Sequence, residues 1–167
     1  MRVVAYIGLG ANLGEGRRNL LRAWRRLGAV PGITARRLSR LWRSEPVGGV
    51  SEQWFTNAVG ELDTELAAEE LLALLLRIET ELGRDRQHQG FDRPIDLDLL
   101  LYGDQVINLP HLVVPHPEMR RRRFVLEPLR ELAPTLVPPG ARQNIATMAA
   151  SLAAVEGQRL IPEDWDE

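Results

Sequence analysis

Ile95-Asp96-Leu97-Asp98-Leu99-Leu100-Leu101 is the stretch that most limits what this chain can become. It is an apolar, strand-like run with two carboxylates set into its beginning. Alternate side chains of a β-strand share a face, so Asp96 and Asp98 lie together while Leu97 and Leu99 lie opposite. At about 3.3 Å per residue the two acids are roughly 6–7 Å apart. Their repulsion is about 2–3 kcal/mol at an effective dielectric near 20, and well under ~1 kcal/mol in open water. A divalent cation with a preference for oxygen ligands removes that cost. An Asp-x-Asp is commonly no more than a wet strand edge. The three leucines that follow instead predict a central strand, buried on both sides, that opens into a site. On that basis Asp96 and Asp98 are expected to hold Mg²⁺ against a polyphosphate.

At 167 residues the chain suits one domain, 1–167, with a real core. No apolar run approaches ~18 residues, so no transmembrane helix is expected. The N-terminus enters a glycine-rich stretch directly and is not a signal peptide. The absence of Cys excludes a disulfide framework, a thiolate nucleophile and a zinc–thiolate site, and a cytoplasmic protein is expected. A net charge of −2 argues against a general nucleic-acid binder. All 21 basic residues are Arg. Without Lys there can be no P-loop and no Schiff base, so any bound phosphate must be held by Arg. Nucleotide bias or heat adaptation also produces an Arg-only composition.

Along the chain, Arg2–Leu9 reads as a strand running into a glycine-punctuated loop, Gly8–Gly16. Leu20, Leu21, Trp24 and Leu27 have helical spacing. Ile33–Trp42 reads as a strand, Ser44–Gln53 as a loop and Phe55–Leu62 as a third strand. Leu71, Leu75, Ile78 and Leu82 fall on one face of a helix over Ala67–Leu82, with Gly83 beyond its end. Arg84–Pro94 is a long polar loop ahead of the acid-bearing strand. Val106-Ile107 and Leu112–Pro117 are short apolar pieces. Arg120–Leu132 is expected to be helical beyond a kink near Pro128, and Asn144–Val155 is a last helix. The acidic tail, 156–167, is expected to fray. The order is β-α-β-β-α-β with added strands and helices, an α+β, ferredoxin-like arrangement. It predicts an antiparallel sheet with two helices on one face and a cleft walled by loops on the other.

Further candidates cluster around the acids in sequence. Arg84, Arg86 and Arg93 can close over a triphosphate and neutralise charge that develops in transfer. His116 sits between Pro115 and Pro117, so its imidazole is aimed by a rigid backbone and can donate to phosphate. The Gly8–Gly16 stretch lacks the third glycine and the downstream acid of a dinucleotide fingerprint; its glycines are expected to turn the backbone beside a flat ligand. Asn57 can offer donor and acceptor to a heterocycle edge. Phe55 and Phe124 either stack on that ligand or are ordinary core residues.

Several motifs together resemble the 6-hydroxymethyl-7,8-dihydropterin pyrophosphokinases of folate biosynthesis. They are Tyr6–Gly14, Phe55–Val59, Arg77–Arg86, Arg93–Leu100, and Val114-Pro115-His116 with Met119, Arg122 and Phe124, in the family's order. The resemblance implies transfer of pyrophosphate from ATP to the pterin's hydroxymethyl group, with AMP leaving. It implies two Mg²⁺ on Asp96 and Asp98, with Arg84 and Arg93 catalytic beside them. Nucleotide contacts are implied for Glu79, Arg84, Arg86, Arg93, His116 and Arg122. Ser44, Val47, Phe55, Asn57, Asp96 and Phe124 are implied around the pterin. Gly90-Phe91-Asp92-Arg93-Pro94 departs from the family's Trp-Gly-Pro-Arg-Thr, Glu45 replaces a usual Pro, and Pro117 follows the His. The implied partners are ATP and the reduced pterin alcohol; a monomer with neither nucleic acid nor membrane as partner is expected. The competing readings are a non-catalytic ferredoxin-like ligand- or RNA-binding module, and another Mg²⁺-dependent transferase using the Asp-x-Asp.

Overall fold

The structure is a computed structural model that describes residues 2–11, 15–45, 54–83 and 94–165. Its elements are β1 (Val3–Ala11), α1 (Gly16–Gly28), β2 (Ile33–Leu38), β3 (Leu41–Ser44), β4 (Phe55–Thr64), α2 (Ala68–Glu81), β5 (Asp96–Tyr102), β6 (Ile107–Leu109), β7 (Leu112–Val114), α3 (Arg123–Leu132), α4 (Ile145–Val155) and β8 (Leu160–Glu163). A 3₁₀ turn, Met119–Arg121, precedes α3. The main sheet is antiparallel in the order β5-β1-β4-β3-β8, with β2 beside β3 along the same edge of β4; β6 and β7 form a separate hairpin. Among the described residues no helix is long and apolar enough to cross a membrane.

The expected ferredoxin-like core is present, and helix periodicity builds one side of it. Leu20, Ala23 and Leu27 of α1 and Leu71, Leu74, Leu75 and Ile78 of α2 are buried against Ala5, Ile7, Leu9, Leu62, Leu97 and Leu99 of the sheet. Glu69 and Glu70 stand in the first turn of α2, where the helix dipole favours acids. Glu70 Oε1 also accepts the Ala67 N–H at 2.8 Å. Gly83, with φ of 100°, takes the left-handed conformation that ends the helix.

Several expectations are corrected. The second face of the sheet is not free: Tyr6, Val59, Leu100 and Leu101 are covered by Met119, by Val125, Leu126 and Leu129 of α3, and by Ile145 and Met148 of α4. Strand β5 is not central but ends the sheet, and its leucines are buried because helices cover both faces. Gly8 and Gly10 lie in the strand β1, not in a loop. Pro128 starts no helix: α3 begins at Arg123 and keeps the buried Pro128 inside it. The tail does not fray over Leu160–Glu163, which pairs with β3, and Trp165 Nε1 donates to the Ser39 carbonyl at 2.6 Å.

The predicted strand Ile33–Trp42 is two strands, broken at Ser39-Arg40. Ser39 bridges the break. Its N–H donates to the Val59 carbonyl at 2.9 Å, and its buried Oγ accepts the Val59 N–H at 3.0 Å. A side chain thus replaces the backbone acceptor that the break removes. Ser39→Ala should therefore destabilise the fold by about 1–3 kcal/mol, the cost of leaving a buried N–H unpaired, as measured by urea unfolding.

Candidate active site

The register of the three central strands assembles the site. Gly10 pairs with Asn57 on one side and Asp96 on the other; Gly8 pairs likewise with Val59 and Asp98. Directly paired residues point to the same face. One row therefore reads Asn57–Gly10–Asp96 and the next reads Val59–Gly8–Asp98. Between the amide and the two carboxylates the sheet carries no side chain. Gly10 leaves its row as a bare floor, whereas Gly8 is buried beneath the Leu100 side chain, where the cover of α3 and α4 begins. A Cβ on Gly10 would lie 3.2 Å from Asn57 Oδ1, and one on Gly8 would lie 3.5 Å from Leu100.

At one end of the floor, Asn57 Nδ2 donates to Ser44 Oγ at 3.0 Å. Ser44 ends β3 and is only 1% exposed, so it fixes the orientation of Asn57 from behind rather than forming a wall. Phe55, two residues before Asn57, shares its face and is partly exposed. Phe124 packs against the apolar cluster on the same side of the sheet, and the Arg122 guanidinium lies 5.7 Å from its ring centre.

At the other end, Asp98 faces an imidazole and a guanidinium. His116 Nε2 is 3.9 Å from one carboxylate oxygen and Arg122 Nη1 is 3.9 Å from the other. Both distances exceed a hydrogen bond. His116 N–H donates to the Leu100 carbonyl at 2.9 Å, which docks this segment on the outer edge of β5. Its Nδ1 accepts the Glu118 N–H at 3.1 Å, which puts the ring proton of the neutral form on Nε2. Burial and the neighbouring Arg122 charge lower the His116 pKa from its ordinary value, against smaller opposing effects of Glu118 and Asp96. The imidazole is therefore neutral at pH 7 and presents Nε2–H toward the acids.

Glu79 is placed differently from the other expected site residues. It is 1% exposed on α2, and its Oε2 accepts the Leu97 N–H at 2.7 Å. That N–H belongs to the residue between the two acids. In this arrangement Glu79 holds the strand.

The family profile described as 7,8-dihydro-6-hydroxymethylpterin-pyrophosphokinase matches residues 6–134. This chain belongs to that family. A 2-amino-4-hydroxy-6-hydroxymethyldihydropteridine pyrophosphokinase of Methylorubrum extorquens is 43% identical over 149 residues, covering 88% of this chain and 94% of the relative. One from Pseudomonas aeruginosa is 41% identical over 145 residues, covering 87% and 90%. Among solved structures, Plasmodium falciparum HPPK-DHPS with pteroate superposes with a TM-score of 0.76 over 92% of this chain. At 13% identity that likeness concerns the fold, and this chain spans 43% of the longer polypeptide.

Of the residues expected from the family motifs, Asp96, Asp98, His116 and Arg122 come together at one end of the floor. Asn57 and Phe55 lie at the other, with Ser44 behind them. Arg84, Arg86, Arg93 and Val47 lie outside the described residues. The Gly10 floor was the missed feature, although its signal was in the sequence: Gly in a strand puts no side chain on its face. Replacing Glu79 tests its assignment to the strand. Glu79→Leu should cost about 2–3 kcal/mol or more in urea unfolding, as a charged acceptor is lost from a buried N–H, and the Leu97 amide should exchange faster. Glu79→Gln, which keeps an acceptor, should lose less.

Proposed function

We propose that this protein transfers pyrophosphate from ATP to the hydroxymethyl group of 6-hydroxymethyl-7,8-dihydropterin, releasing AMP, in folate biosynthesis. The observation that carries the reading is the side-chain-free Gly10 between a fixed amide, Asn57, and an aspartate pair. It suits a flat heterocycle read at its edge by Asn57, with its reactive arm reaching the acids. Phe55 and Phe124 are proposed to flank the ring, with Val47 as a further pterin contact.

The donor set fits Mg²⁺. Asp96 and Asp98 are hard oxygen donors on one strand face, and Mg²⁺ commonly takes one or two carboxylates plus phosphate oxygens and water. Two ions held there would neutralise the phosphates and lower the barrier to attack at the β-phosphorus. Around that charge the protein supplies donors. His116 Nε2–H and the Arg122 guanidinium stand beside Asp98 and are proposed to bind triphosphate oxygens, with Arg84, Arg86 and Arg93 completing the clamp. The side chains fix the alcohol and the β-phosphate in line, so that positioning and charge stabilisation do most of the catalysis.

Incubation with ATP, Mg²⁺ and the reduced pterin alcohol should yield AMP only when the pterin is present; no AMP would overturn the reading, and AMP without pterin would mean another transferase or a hydrolase. Asp98→Ala should cut kcat by about a thousandfold or more while direct titration still shows pterin binding. Gly10→Ala, at a backbone conformation open to any residue, should keep the fold and raise the pterin KM by about tenfold, leaving the KM for ATP near that of the parent.

A further inference from the structure

The tail beyond the family match is bonded both to the strand segments beside Asn57 and to the start of α3. The profile stops at residue 134, yet β8 extends the sheet next to β3. Just ahead of β8, Gln158 Nε2 donates to the Glu45 carbonyl at 2.8 Å, and the Arg159 N–H donates to Glu45 Oε1 at 2.8 Å. The Glu45 N–H returns to the Arg159 carbonyl at 3.2 Å. The Arg159 guanidinium stands 5.3 Å from the centre of the Trp54 ring, and Arg43 stands 5.6 Å from it. Two consecutive tail residues therefore hold Glu45, which follows Ser44, and Trp54, which precedes Phe55. At the start of α3, Arg123 Nη1 donates to the Gln158 carbonyl, between Arg122 and Phe124 in sequence. The tail is itself anchored at Trp165 and by the Arg17–Glu163 pair at 3.0 Å.

We propose that Gln158 and Arg159 are positioning residues for the pterin pocket. The tail is a brace between the strand segments that carry Phe55 and Asn57 and the start of α3 that carries Phe124. It acts on the pterin end of the cleft and makes no contact with the aspartates. The proposal rests on the pyrophosphokinase reading for the identity of the ligand, but not for the existence of the brace.

The test uses the full chain carrying Gln158→Ala with Arg159→Ala. Titrations follow binding of the reduced pterin alcohol and, separately, of the non-hydrolysable nucleotide α,β-methylene ATP. The expected result is a pterin Kd raised about three- to tenfold, the loss of one hydrogen bond and one exposed cation–π contact. Nucleotide Kd and melting temperature should stay near those of the parent. Arg159→Lys, which keeps a cation over Trp54, should recover part of the loss. Removal of residues 157–167 should have a larger effect; if it also unfolds the protein, the double variant decides. An unchanged pterin Kd in the folded double variant would overturn the proposal, as would equal weakening of both ligands. If the parent binds no pterin, the functional reading fails instead. Amide exchange at Glu45, Trp54 and Phe55 then decides the brace: faster exchange in the double variant supports it, and unchanged exchange overturns it.

Discussion

Pairing of β1 with β5 in one register is the constraint on which the rest depends. With Gly8 opposite Asp98 and Gly10 opposite Asp96, both acids face the cleft and Leu97 and Leu99 face the helices α1 and α2. A slip of one residue would exchange those faces, sending two carboxylates into an apolar core and two leucines onto the floor. The cost of an unpaired buried charge makes that alternative prohibitive. The acids that define the site thus also define the strand's alignment.

The same strand changes character within its length. The register shifts where Tyr6 pairs with Leu101 and Ile7 with Leu99, leaving Leu100 as the extra residue of a bulge. Leu100 and Leu101 then both join the cluster under α3 and α4, while Tyr102 joins the one under α1 and α2. One face of β5 is therefore acidic for its first residues and apolar for its last. The cleft ends where α3 and its preceding 3₁₀ turn begin to cover the sheet. Arg122 and Phe124 stand at that boundary, which is why a packing element also supplies groups beside the acids.

The parts of this arrangement that are periodic were legible in the sequence. Asp96 and Asp98 declare a shared face because strands alternate, and Leu71, Leu75 and Ile78 declare a buried stripe because helices repeat near 3.6. His116 was marked by the prolines on either side and Asn57 by its paired donor and acceptor, while Arg122 came from the family motif. What depends on distant partners was not legible. Three leucines in a row predict burial but not which helices provide it, so β5 read as central when it is terminal. Gly8 and Gly10 suggested a turn, since the effect of Gly10 as a floor exists only beside Asn57 and the acids. Leu160-Ile161-Pro162-Glu163 gives no strand signal because it contains a proline, yet an outermost strand tolerates one. Ser39 hid a strand break that only its bonds to Val59 make visible.

Placing the acids on a terminal strand raises a physical difficulty. Such a strand is hydrogen-bonded along one side only, and its loose edge would let the carboxylates shift. Among the described residues the outer edge is closed at the Leu97 N–H by Glu79 and at the Leu100 carbonyl by the His116 N–H. The first closure uses a buried carboxylate, a costly acceptor that a backbone carbonyl could have replaced. A neighbouring strand would have supplied that carbonyl, but it would also have covered the edge along which His116 and Arg122 approach Asp98. A single side chain from α2 satisfies the N–H without occupying that space. The strand that carries the aspartate pair is thus held from α2, while His116 and Arg122, and the phosphates proposed to bind them, meet Asp98 from the other side.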